Sequence, residues 1–372
     1  MMGLLGIFVV LPFIQGILRL NKYDKSMKSL IRYRVKHLSG IYQRTSFFTY
    51  LLAVLLTIAT LPISIQSLNN LVPSLKGDAK KRFYTHSMLR AYSLALFWSP
   101  VELLVIASID QLNASYLVLM PILLLTSLTY LFFDWLLHRR TYFIPLEEMN
   151  IEKKGTFNKK DALRIVQFFV AVILLFVFVL VTDHFLQEGL LVAIVIVVIP
   201  FSFAWIIVLR KLPIYLTYMK KSLYISIGNM NNFVALFLSA GFFISMMEKS
   251  VLFDHINEFV INQFQSLHLA VFFFFIAAIF WITSLCGFFS VVTITLLAQV
   301  LAPIASGLEN SLALLFIGST ISLLMISPFN IATAIMATLI RSSPLKIFKW
   351  NFKFAFGFMI LVTTISVIYE LF

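Results

Sequence analysis

Long apolar runs alternate with short polar connections along this chain, and the runs have the length of a bilayer. Ala171 to Val181 and Leu190 to Pro200 are unbroken by charge. Gly3 to Leu18, Ser46 to Gln66, Tyr116 to Leu137, Ala162 to Thr182, Leu190 to Val208, Asn232 to Met247, Leu267 to Cys286, Phe288 to Ala302 and Phe352 to Ile368 predict helical membrane segments. Two further runs, around Met88 to Ile109 and from Ser311 to Ile340, carry an internal proline and predict broken units that either cross or re-enter. The bilayer-length criterion gives about eight to eleven segments. Met1 to Leu18 lacks a preceding basic stretch and a small-residue cleavage motif, so it reads as a retained span rather than a signal peptide.

The interruptions repeat. Ser99-Pro100-Val101-Glu102 returns as Ser327-Pro328-Phe329-Asn330, 228 positions later. The same offset sets Gly3 to Leu18 opposite Asn231 to Glu248, the break near Thr60-Leu61-Pro62 opposite Gly287 to Phe289, and Asn113 opposite Arg341. The expected organisation is a first membrane repeat over 1–140, a connector with two transmembrane helices over 141–228, and a second repeat over 229–372. The fold class is an all-α polytopic membrane protein, an inverted-repeat secondary transporter with broken or re-entrant helices.

Composition agrees with the pattern: of 372 residues, 60% are hydrophobic and 12% charged, more apolar side chain than a soluble fold can hide. The net charge of +13 does not require a nucleic acid, because the basic residues lie in short connections between runs. Arg19 to Arg44 has eight Lys or Arg against Asp24, and Arg139 to Arg164 has seven against Glu147, Glu148, Glu152 and Asp161. With Arg210, Lys211, Lys220, Lys221 and with Arg341, Lys346, Lys349, Lys353, these regions are assigned to the cytoplasm of a cell-membrane protein. The connections with Asp183 and Glu188, with Glu248, Asp254 and Glu258, and with Glu309 are assigned outside. With Ser46 to Gln66 running outward, the two repeats have opposite orientation. Lys76 to Arg90, with five basic residues, then falls outside and conflicts with the rule.

Three polar stretches have local readings. Arg19 to Arg44 is either an amphipathic helix on the anionic leaflet or a basic loop. Asn150 to Lys160 reads as a polar link, and Leu212 to Met219 as an interfacial segment.

Candidate chemistry sits at the proline breaks. Each break frees carbonyls before it and N–H groups after it, so paired half-helix ends near the midplane suit a carboxylate, an oxyanion or a coupling ion. Ser99, Glu102, Ser327, Asn330 and Thr333 are the candidate substrate- or ion-binding residues. Glu102 is an isolated carboxylate in apolar surroundings, which suits uptake and release of a proton or sodium ion, or else a capping role in the first helical turn. Asn330, its counterpart, both donates and accepts hydrogen bonds. Ser319, Thr320, Ser322, Thr338, Ser290, Thr293 and Thr295 line a route or bond their own helix carbonyls. Asp134 beside Trp135 reads as interfacial, and Arg341 either attracts an anion or sets topology.

The remaining motifs argue against an enzyme. His37, His86, His138, His184, His255 and His268 form no His-Glu-x-x-His spacing, no P-loop is present, and the lone Cys286 excludes an intrachain disulfide. His86 and Arg90 share a helical face suited to lipid phosphate. The expected partners are a small, anionic solute, a coupling ion and membrane lipids, with no cofactor, metal or nucleic acid. A lipid or envelope-polymer flippase and a non-transport structural protein are the alternatives.

The two Ser-Pro breaks, Gly318-Ser319-Thr320 and the polar interruption from Gly287 to Thr295 resemble the ion-transporter superfamily of inverted-repeat membrane permeases. That resemblance covers both outer units and implies a central site contributed by both repeats. Glu102 departs from the asparagine expected after such a break, and no sodium-site fingerprint carries over.

Overall fold

The computed structural model describes residues 2–21, 23, 31, 33, 35–68, 75–145, 158–186 and 189–371. Ten of the 26 residues of the basic stretch read as an amphipathic helix or loop, and eight of the eleven of the link at Asn150 to Lys160, lie outside the described residues. The described residues are helical apart from turns and one antiparallel bridge, His37 with Pro145. The chain is an all-α polytopic membrane protein with broken and re-entrant helices.

Helix α1 spans Met2–Leu20 and α2 spans Leu38–Leu56. A 3-10 turn at Thr57–Ala59 then leads into α3, Thr60–Leu68. Leu38–Gln66 is long and apolar enough to cross a membrane, yet Thr49 Oγ1 donates to Ser64 Oγ at 3.3 Å across 15 residues. A straight helix would separate those positions by about 22 Å. The predicted outward span is therefore a hairpin with its tip at Thr57, and both of its ends lie on one side. Pro62 does not make the break. It sits in the first turn of α3, where its missing N–H has no intrahelical partner to lose.

This fold-back removes the conflict over Lys76 to Arg90. Helix α4, Gly77–Tyr84, continues through a π-helical turn, Thr85–Arg90, into α5, Ala91–Leu96, and after a break into α6, Leu103–Leu112. Lys81 Nζ donates to Arg341 O at 2.8 Å, and Lys346 Nζ lies 3.1 Å from Asp78 Oδ2. The basic residues of α4 thus share one end of the molecule with those following Ile340. Helix α7, Tyr116–Thr141, returns to that end, because the His86 and His138 rings approach to 3.2 Å.

Helix α8, Lys159–Leu186, and α9, Leu190–Val208, pack together, and α9 packs on α1. Helix α10, Leu212–Glu248, merges the predicted interfacial segment and the following span into one rod of about 55 Å. Lys211 Nζ clamps it to α1 through Leu20 O and Asn21 Oδ1 at 3.2 and 2.8 Å. The acidic connection after it forms helix α11, Val251–Ser266. Helices α12, Leu269–Leu285, and α13, Ser290–Leu301, form another hairpin, since Thr293 Oγ1 donates to Thr283 Oγ1 at 3.2 Å.

Helix α14, Glu309–Leu324, a break, and α15, Ile331–Leu339, form the second broken helix, and α16, Pro344–Leu371, returns beside it. Asn310 joins Ser115 N at 2.9 Å and Tyr369 Oη at 3.3 Å, so the start of α14 meets the start of α7 and the end of α16. The two broken helices consequently run in opposite directions. One hairpin enters from the basic end and the other from the end that carries Glu309.

A buried polar network ties four of these elements together. Arg90 Nη1 meets Asp134 Oδ1 at 2.8 Å, Arg90 Nε donates to Asn351 Oδ1 at 2.8 Å, and Nη2 donates to Trp350 O at 3.2 Å. Tyr42 donates to Asp134 Oδ2 at 2.6 Å, and His138 Nδ1 lies 3.3 Å from Oδ1. Asp134, read from the sequence as interfacial, is fully buried among these partners, while Trp135 Nε1 donates to Ser46 Oγ at 3.0 Å. Arg90 also caps the Phe354 ring at 4.4 Å and does not face lipid.

Two stability predictions follow from this packing. Asp134→Asn leaves Arg90 buried without its counter-charge and should cost about 3–5 kcal/mol in thermal unfolding, with Arg90→Met/Asp134→Leu recovering part of the loss. Gly318→Ala drives a Cβ to 2.3 Å from Val362 Cγ1, whereas a Cβ at Gly228 meets nothing within 4 Å among the described residues. Gly318→Ala should lose about 1–3 kcal/mol and Gly228→Ala should lose nothing measurable.

Candidate functional site

The two Ser-Pro motifs have one local structure. Ser99 O accepts from Glu102 N at 3.2 Å, and Ser327 O accepts from Asn330 N at 3.1 Å. Each is a turn with proline in the position that its fixed φ favours. The fourth residue then starts a half-helix: Glu102, at φ −84 and ψ 126, caps α6, and Asn330, at φ −78 and ψ 140, caps α15. Asn330 Oδ1 accepts from Ala332 N at 2.8 Å, which satisfies one of the N–H groups exposed at a helix start. Both half-helices also end alike. Asn113 at φ +52 and Arg341 at φ +50 are left-handed, and the next residues, Ala114 and Ser342, donate to Ile109 O and Ala337 O.

The serines hold each broken helix against its neighbouring hairpin. Ser99 Oγ donates to Val54 O at 3.0 Å and Ser327 Oγ donates to Ser284 O at 3.1 Å. The hairpins turn where backbone of unusual conformation permits it: Gly287 has φ +94 and Thr57 has φ +46. Glycine reaches that region freely, but a β-branched threonine does so under strain.

These four interruptions enclose a cavity of about 290 Å³. Thr57 and Ile58 come from the first hairpin, Glu102 and Leu104 from the first broken helix, Gly287 and Phe288 from the second hairpin, and Ser327, Phe329 and Asn330 from the second broken helix. Tyr92 of α5 completes one wall. Among the described residues the lining carries one carboxylate and no Lys, Arg or His. The Glu102 carboxylate lines the cavity and faces the backbone N–H of Leu104 at the start of α6. Two helix N-termini converge on the same space and add partial positive charge and backbone donors. Phe329 and Phe288 are 65% and 47% exposed and give the opening an aromatic rim.

Of the residues singled out from the sequence, Glu102, Ser290, Ser327 and Asn330 line the cavity. Ser99 and Thr333 do not: both are buried, with Thr333 Oγ1 donating to Leu324 O at 3.2 Å. Ser319, Thr320 and Ser322 face packed neighbours, and Ser322 accepts from Trp281 Nε1 at 3.0 Å. Thr57, Tyr92 and Phe288 carried no sequence signal of their own. Only their distance from a repeated break, three residues for Thr57 and one for Phe288, pointed toward them.

If the Ser-Pro hydroxyls act as anchors, their loss is structural. Ser99→Ala and Ser327→Ala each remove a buried hydrogen bond that ties a broken helix to its hairpin, although Ser284 O still accepts from Gly287 N at 3.2 Å, and should each lower stability by about 0.5–1.5 kcal/mol in thermal unfolding. Thr364→Ala, which removes an exposed bond to Ile360 O, should change it by less than about 0.5 kcal/mol.

No family model and no curated protein matches the chain. Among solved structures it is similar to the YdaH transporter of Alcanivorax borkumensis, whose crystal structure is described as revealing an unusual topology. The TM-score is 0.60 at 11% identity, over 97% of this chain and 85% of that one. At that identity the likeness is one of fold: this chain shares the fold of a membrane transporter.

Proposed function

We propose that this protein is a secondary transporter that moves a small organic or inorganic anion across the cell membrane by alternating access. One observation carries the reading: four helix interruptions, two from each half and entering from opposite ends, meet around a single cavity. The fold shared with a protein named as a transporter supports it. The antiparallel broken helices and their matched turns, caps and left-handed ends favour two inverted repeats, over 1–140 and 229–372, joined by a connector over 141–228. Such a pair supports reading the chain with the inverted-repeat permeases of the ion-transporter superfamily, which it resembles.

The chemistry of the lining constrains how an anion binds. The half-helix ends of α6 and α15 attract it, while an ionised Glu102 repels it. Binding therefore requires Glu102 to be neutralised by a proton or screened by a cation such as sodium, which couples the anion to that ion. Asn330 and the backbone after Ser327 supply directional hydrogen bonds. The exposed Phe288 and Phe329 support a second reading, in which a lipid or other amphiphile is moved.

Thermal stability of the full chain in detergent, against carboxylates, inorganic oxyanions, neutral solutes and lipids at two pH values, tests the proposal. A single anion should stabilise wild type saturably, more so at the lower pH. Glu102→Gln should remove the pH dependence, and Asn330→Ala should lose the solute shift beyond its own capping cost of about 1 kcal/mol. Stabilisation by lipid alone favours the amphiphile reading, and no selective shift from a folded protein overturns both. Alkylation of the exposed Cys286, beside Gly287, should slow when the solute is bound.

A further inference from the structure

The basic end holds a second cavity, of about 640 Å³, separate from the central one. Lys81, Arg341 and Lys346 line it together with Thr338, Ser342 and Ser343, and no carboxylate does. Its walls are built by tertiary contact. Lys81 of α4 reaches across to Arg341 O at 2.8 Å, and Lys346 of α16 is placed by its 3.1 Å contact with Asp78, both groups about half exposed.

Three features make this basin more than a solvated basic surface. Three cations from α4, the α15–α16 corner and α16 share one concavity, with Asp78 the carboxylate paired to them among the described residues, and an oxyanion placed between them would relieve their mutual repulsion. The corner presents the first turn of the 28-residue α16, where Pro344 has no N–H and Lys346 N donates to Ser343 Oγ at 3.3 Å, so the helix contributes its dipole, which favours negative charge, more than its donors. The Ser342 hydroxyl at the same corner is buried with no hydrogen-bond partner among the described residues.

We propose that this basin is an anion site of its own, binding a phosphate group through Arg341, Lys346 and Lys81. The group comes from a free phosphate or from the headgroup of an anionic phospholipid. The assignment does not rest on transport through the central cavity, and it stands if that reading fails.

The test uses the purified full chain and two arms. In one, inorganic phosphate is compared with chloride at constant ionic strength by thermal shift. In the other, retention of phosphatidylglycerol is compared with that of phosphatidylcholine by native mass spectrometry. Arg341→Asn removes the charge but keeps a residue that tolerates the left-handed backbone, as Asn113 does at the matching corner. Lys346→Gln is a second variant, and the exposed Arg140→Gln is the control.

Either variant should raise the apparent Kd for phosphate, or for phosphatidylglycerol, at least about tenfold, with the control unchanged. A response to phosphate alone assigns a soluble anion, and one to the phospholipid alone assigns a headgroup. The proposal is overturned if neither probe is preferred over its comparison, or if both variants bind as wild type does.

Discussion

Every interruption of a helix within a bilayer strips hydrogen bonds from backbone that has no water to replace them. This chain makes four such interruptions and places them together, so each must be satisfied by something the fold brings to it. Ser99 and Ser327 pair with carbonyls of the adjoining hairpins, and Asn330 occupies a bare N–H of its own half-helix. The starts of both half-helices and the Glu102 side chain face one cavity, so the space that the breaks open is lined by the backbone that they disrupt.

Around that centre the structure divides into closely packed supports and a polar interior. The Arg90–Asp134 pair, with Tyr42, His138, Asn351 and Trp350, binds α2, the π-turn, α7 and α16 at the basic end. A buried charge so placed is costly to strand, which fixes the register of these elements more than it adds net stability. Packing on the other half is equally tight: Gly318 of α14 admits α16 so closely that a methyl group would collide with Val362. Alternating access, on the proposed reading, moves hairpins and half-helices against this frame.

The membrane class, the broken units and four of the cavity residues were legible because the residues that declare them act locally. Proline removes a donor and fixes φ wherever it stands, so Ser-Pro-x-Glu and Ser-Pro-x-Asn announce a turn followed by a cap without reference to the rest of the chain. The offset between Asn113 and Arg341 was visible too, although its meaning, a left-handed helix end in both places, was not. Hydropathy, by contrast, misread Leu38 to Gln66, because an apolar hairpin buried in protein and an apolar span have the same composition.

By itself, then, the sequence determined that the chain folds as membrane helices, where those helices break, and which residues cap the breaks. These depend on side chains within about one helical turn of the backbone they act upon. Only the tertiary structure decided that two apolar runs double back, that Lys76 to Arg90 shares an end with Arg341, that Asp134 meets Arg90, and that Ser99 anchors a hairpin instead of lining the cavity. Each of those outcomes joins residues far apart in sequence. Such a pairing is selected by the packing of whole helices and leaves no mark on the residues beside it.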